Sequence, residues 1–119
     1  MQRRDDLYPA DFLEAAESIR SFVAKLDRPD RDAFLGDDLV RSAVFQKLSV
    51  IGEAAARVSD ETRALNPEIP WHQARGTRNL LIHAYFSVDW DIVWNTATDA
   101  VPRLAAQVAR VVESHKSRP

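Results

Sequence analysis

The chain has 119 residues, a formal net charge of −2, no cysteine and 45% hydrophobic residues. That length suits one domain, 1–119, with enough surface to bury for a single core. The lack of cysteine excludes disulfides, thiolate metal sites and Cys nucleophiles. The mild acidity excludes a surface that coats nucleic acid broadly, though not a small site gripping a few phosphates.

Residues 1–7 read as a ragged start. Arg3-Arg4 lead into no apolar run, so no signal peptide is expected. No stretch is apolar for long enough to span a membrane, and a reducing, cytoplasmic setting is expected. Tyr8, Phe12, Ala15, Ile19, Phe22 and Leu26 then recur at intervals of three and four, which predicts an amphipathic helix. Asp27-Arg28-Pro29-Asp30 ends it. Residues 30–37 read as a loop or short turn, with Asp37 or Asp38 placed to cap the next helix.

That second helix is predicted from about Asp38 to Val58, with Val40, Val44, Leu48, Ile51, Ala55 and Val58 as its buried stripe. Gly52 in its middle costs about 1 kcal/mol relative to Ala. A glycine there permits close approach of another backbone, and Ala54, Ala55 and Ala56 extend a small-residue patch suited to a two-fold contact. Glu53 reads as a solvated or core-edge carboxylate. Ser59 can cap a short helix through Leu65, the prolines of Asn66-Pro67-Glu68-Ile69-Pro70 break the chain, and Pro70 suits a first helical position.

From Pro70 a helix is predicted with Trp71, Ala74, Leu81, Ile82 and Tyr85 on its apolar stripe. Arg78 falls within that stripe, where a guanidinium is costly unless something anionic or polar meets it. His72, Arg75, Asn79 and His83 form an adjacent polar stripe. No carboxylate occurs between Glu68 and Asp89, so this is a cationic spot on an acidic chain and a candidate phosphate site. Ser87 or Asp89 caps the last helix, whose stripe is Val93, Ala97, Val101, Leu104, Val108 and Val111 and which Pro102 should kink or split. No segment alternates with period two. The expected fold is an all-α antiparallel bundle of four main helices.

No phosphate-binding glycine loop or zinc-protease motif is present, and His72 and His83 are too far apart to share a metal, so no metal and no cofactor is expected. Trp71, Trp90 and Trp94 could stack bases, with Trp94 assigned to the core and Trp90 the freer candidate. An Arg and a His without metal suit one reaction. RNA carries its own nucleophile, the 2′-hydroxyl; His83 can move its proton and Arg78 can hold the charge gathering on the phosphate. The two are five residues apart, about 140° around an ideal helix. Either the helix ends near His83 or two chains share the site.

The residues Ile51-Gly52-Glu53-Ala54, Asn66-Pro67-Glu68-Ile69-Pro70-Trp71, Arg78-Asn79, His83-Ala84-Tyr85-Phe86, Asp89, Trp94 and Pro102 resemble the HEPN superfamily, and within it the HepT-like toxins. His72 stands where relatives more often carry Arg or Lys. The resemblance implies a homodimeric helical bundle with two Arg-His motifs facing each other across a cleft. It implies a metal-independent endoribonuclease acting as the toxin of a toxin–antitoxin pair, with Arg78 and His83 catalytic. Asn79, Arg75 and His72 would support or bind RNA. The partner it implies is an MntA-like nucleotidyltransferase antitoxin, able to transfer AMP to Tyr85; on spacing alone Tyr85 is a packing residue. The competing reading is a non-catalytic helical dimer that binds or supports a nucleotidyltransferase or a nucleotide, using the same basic stripe.

Overall fold

The computed structural model describes residues 4–78 and 88–116. Among them there is no strand, and the fold is all-α as expected. α1 spans Arg4–Val23 and buries Phe12, Ala15 and Ile19, with Tyr8 and Phe22 half-buried beside them. It begins earlier than the apolar stripe does.

The stretch read as a loop contains a short helix, α2 (Arg31–Leu35). Asp30 caps it by accepting from the Ala33 N–H at 2.8 Å, and Phe34 on it is fully buried. Asp37 is the cap of α3 (Asp38–Arg57), accepting from Val40 N–H at 2.9 Å. All six residues of the expected α3 stripe are buried, with Val58 just past the helix end. α3 is the central helix and packs against α1, α2 and α5. Ser59 caps α4 (Asp60–Leu65) through the Thr62 N–H at 3.1 Å.

α5 (Trp71–Gly76) starts one residue after Pro70, which is its N-cap and not its first helical residue. A second, small core cluster of Val58, Ile69, Trp71 and Val111 pins its entry. Polar bonds brace the same corner. Trp71 Nε1 donates to the Asn66 carbonyl at 3.0 Å, Asn66 Nδ2 to the Thr62 carbonyl at 2.9 Å, and Gln107 Nε2 to the Glu68 carbonyl at 3.2 Å.

Asp89 caps α6 (Trp90–Asn95), and after a π-turn over Thr96–Ala100 the chain enters α7 (Val101–Lys116). The interruption expected at Pro102 is this π-turn, placed just before the proline. Val101 N–H donates five residues back to Thr96, and the wider turn accommodates a residue that has no N–H for Thr98 and whose ring crowds that carbonyl. Inserting the turn keeps Val93, Ala97, Val101, Leu104, Val108 and Val111 on one buried face. Phe34, Phe45, Trp90 and Trp94 form an aromatic group joining α2, α3 and α6.

Candidate functional site

The corner described above delivers α5 to the flank of α3, and there the helix stops. Thr77 is buried, and its Oγ1 donates to the Ala74 carbonyl, which competes with continued helical bonding. Arg78 N–H reaches back three residues to the Arg75 carbonyl at 3.1 Å, a tightened final turn. The helix expected to run on from Pro70 is therefore described only as far as Gly76, with Thr77 and Arg78 in a turn.

This changes the setting of Arg78. Periodicity placed it on a buried stripe; its side chain is instead 51% exposed and paired with Glu53 of α3, Nε to Oε1 at 3.1 Å. The turn takes Arg78 off the apolar face that Trp71 and Ala74 bury. The close approach comes from Gly52. A Cβ built there would lie 2.7 Å from the Arg78 backbone nitrogen and 2.9 Å from its Cα, so only glycine lets the two backbones meet. Gly52, Ala54 and Ala55 are all buried within the chain. The patch assigned to a two-fold contact is thus largely spent on internal packing, and Ala56 faces the site.

His72, Arg75 and Arg78 line one shallow open depression of about 170 Å³ together with Ala56 and Gly76. All three of these side chains are exposed. Two members of the expected polar stripe, His72 and Arg75, therefore share a surface with the neighbouring Arg78. Asn79, His83 and Tyr85 lie outside the described residues, as do Leu81, Ile82 and Ser87.

Glu53 is the site residue that sequence reasoning missed, having been read as a solvated or core-edge carboxylate. Its Oε2 also accepts from Arg57 Nε at 3.1 Å. The hydrogen bond to this carboxylate, with Tyr8 acting in the same direction, raises the Arg57 guanidinium above its ordinary value. The available signal was the pair Gly52-Glu53 itself: a glycine that invites a backbone, followed by a carboxylate one step around the helix, opposite an Arg that needed a partner. With side chains 51% and 41% exposed, the Arg78–Glu53 pair is worth only about 0.2–1 kcal/mol of stability, so its consequence is orientation.

The tryptophans are not a free stacking surface. Trp71 is buried, and Trp94 lies 5.1 Å from Phe34. Trp90 is flanked by Phe34 and Phe45, with the Arg41 guanidinium 4.9 Å from its ring centre. Among the described residues no three His, Cys, Asp or Glu side chains gather in a way that could hold a metal ion.

Comparison with known proteins matches residues 12–111 to the family described as Ribonuclease HepT-like. A protein of Thermococcus cleftensis provisionally named ribonuclease HepT is 35% identical over 111 residues, covering 93% of this chain and 98% of its own. A protein of Methanocaldococcus jannaschii provisionally named an RNase is 32% identical over 109 residues, covering 91% of this chain and 97% of its own. A third, from Caldanaerobacter subterraneus and similarly named, is 34% identical over 83 residues, 70% of this chain and 74% of its own. No solved structure matches the chain at a significant level.

Proposed function

Because the chain belongs to the HepT-like ribonuclease family, we propose that it is a metal-independent endoribonuclease whose catalytic groups are Arg78 and His83. The 2′-hydroxyl of RNA attacks the adjacent phosphorus, His83 takes its proton, and the bond to the 5′ oxygen breaks as that oxygen is protonated. Arg78 holds the charge that builds on the non-bridging oxygens. The products are a 2′,3′-cyclic phosphate and a 5′-hydroxyl. His72, Arg75 and Asn79 bind the flanking phosphates.

The observation that carries this reading is the placement of Arg78. An exposed guanidinium, fixed at its backbone by Gly52 and at its Nε by Glu53, stands in one depression with Arg75 and His72. Such a cluster on a chain of net negative charge favours a bound phosphate.

The proposal extends to assembly and control. Two chains pair about a two-fold axis so that the Arg78 and His83 of both copies face one cleft. The enzyme is the toxin of a toxin–antitoxin pair. An MntA-like nucleotidyltransferase silences it by moving AMP onto the Tyr85 hydroxyl, where the added phosphate pairs with Arg78 in place of the scissile one.

The test is cleavage of single-stranded RNA by the wild-type chain and by Arg78→Ala and His83→Ala. Each variant should lose on the order of a hundredfold or more in rate while keeping its helical spectrum and its mass in solution. Cleavage should persist in EDTA and leave cyclic phosphate ends. Full activity in both variants would remove the mechanism, and a need for added Mg²⁺ would replace it with another. Co-expression with the antitoxin should add AMP mass that Tyr85→Phe abolishes; modification persisting in Tyr85→Phe would return Tyr85 to a packing role.

A further inference from the structure

Consecutive residues of α3 grip Arg78 from two directions. Gly52 meets its backbone, and Glu53 meets its guanidinium at Nε. The other Glu53 oxygen is occupied by Arg57, one turn further along α3. A polar chain Arg57–Glu53–Arg78 therefore runs from α3 to the rim of the basic depression.

We propose that Glu53 is the positioning residue of this site, presetting Arg78 for the phosphate of RNA. The inference rests on reading Arg78 as the group that carries charge in RNA cleavage. A guanidinium is a planar fork with five donors. A carboxylate bound at Nε fixes that plane and leaves the edge bearing the two Nη atoms unclaimed by the pair. That edge is the one suited to two phosphate oxygens. Arg57 divides the carboxylate's charge, so Glu53 orients Arg78 without neutralising the site: two guanidinia share one carboxylate.

The arrangement has opposite effects on binding and on turnover. Glu53 is an anion beside the place of another anion, so it weakens RNA binding. It also removes rotamer freedom from Arg78, so it favours the reactive geometry. A residue that only supported the fold would show no such split.

Steady-state cleavage of single-stranded RNA by the full chain tests this. Glu53→Gln should lower kcat on the order of tenfold to a hundredfold, with KM unchanged or lower and the urea midpoint near that of the wild type. The double variant Glu53→Gln with Arg78→Ala should cleave no more slowly than Arg78→Ala alone, since the two act as a unit. Glu53→Asp, which keeps the charge on a shorter arm, should recover part of the loss. If Glu53→Gln fails to fold, the kcat and KM comparison is read from Glu53→Asp, where lowered kcat without raised KM supports the proposal and wild-type kinetics overturns it. Wild-type kcat in Glu53→Gln beside an inactive Arg78→Ala overturns the role of Glu53 alone. Raised KM with unchanged kcat also overturns it, making Glu53 a substrate contact. Equal cleavage by Arg78→Ala and the wild type overturns the underlying reading of the site.

Discussion

Gly52 and Arg78 touch backbone to backbone: a Cβ on Gly52 would sit 2.7 Å from the Arg78 nitrogen and 2.9 Å from its Cβ. Two effects oppose each other in Gly52→Ala. The helix gains about 1 kcal/mol from the better helix former. Overpacking costs about 1–3 kcal/mol, toward the upper end here because the obstructing atoms are main chain and cannot rotate away. A net loss of stability is expected, with a larger proportional loss of RNA cleavage because Arg78 is the group displaced. Urea unfolding and a cleavage assay on the same preparation check it. A variant more stable than wild type and equally active would show that the two backbones separate without cost.

Phe34 is expected to be the most sensitive core position outside the site. It is fully buried on the five-residue helix α2 and lies 5.1 Å from Trp94 and 6.4 Å from Trp90, ring centre to ring centre. Phe34→Ala should cost about 3–5 kcal/mol, with little collapse into the gap because three helices meet there. Tryptophan fluorescence should report the same transition. A loss below about 1 kcal/mol in urea unfolding would mean that α2 is not held by this ring.

Much of this fold was legible in the sequence, and the reasons separate cleanly. Stripes such as Val40-Val44-Leu48-Ile51 and Val93-Ala97-Val101 are local periodicities, and burial followed them. Asp37 and Ser59 satisfy orphan N–H groups within three residues, so their roles could also be read locally. The end of α5 could not. It depends on a Thr77 hydroxyl bonding a carbonyl and on Gly52, some two dozen positions earlier, admitting the Arg78 backbone. The partner of Arg78 was hidden for the same reason, because Glu53 is distant in sequence and reads on its own helix only as a solvated or core-edge carboxylate. The π-turn before Pro102 is a third case. The proline announced a defect, but whether the helix kinks, splits or widens is decided by which option keeps Val93 and Val101 both buried.

Acid should weaken the joint between α2 and α6. Asp91 and Arg31 form an ion pair there, and the hydrogen bond from Arg31 holds the Asp91 carboxyl below the usual carboxylate range. A carboxylate depressed in the folded state stabilises above its unfolded value, near pH 4, and loses that contribution as pH falls through its folded one. Asp91→Asn should therefore melt below the wild type at neutral pH, with the gap closing as the pH drops below about 4. Thermal melts of both proteins from neutral to acid pH decide this. A gap that stays constant across the range would assign the effect to packing and not to charge.

Arg75 should contribute to RNA binding in a way that salt reveals. It is exposed, lies on the rim of the depression shared with His72 and Arg78, and has no place in the bond-breaking step. A cation on a phosphate of single-stranded RNA releases counterions, so each such contact adds about 0.7 to the slope of log affinity against log salt. Arg75→Ala should raise KM at low salt, flatten that slope by about 0.7, and leave kcat near the wild-type value, because uniform binding is lost and transition-state binding is not. Arg75→Lys should restore most of the slope, since a point charge suffices for a phosphate. Kinetics at several salt concentrations separate the possibilities. An unchanged slope would place the RNA backbone elsewhere on the protein, whereas a fall in kcat at constant KM would move Arg75 from binding into the chemical step beside Arg78.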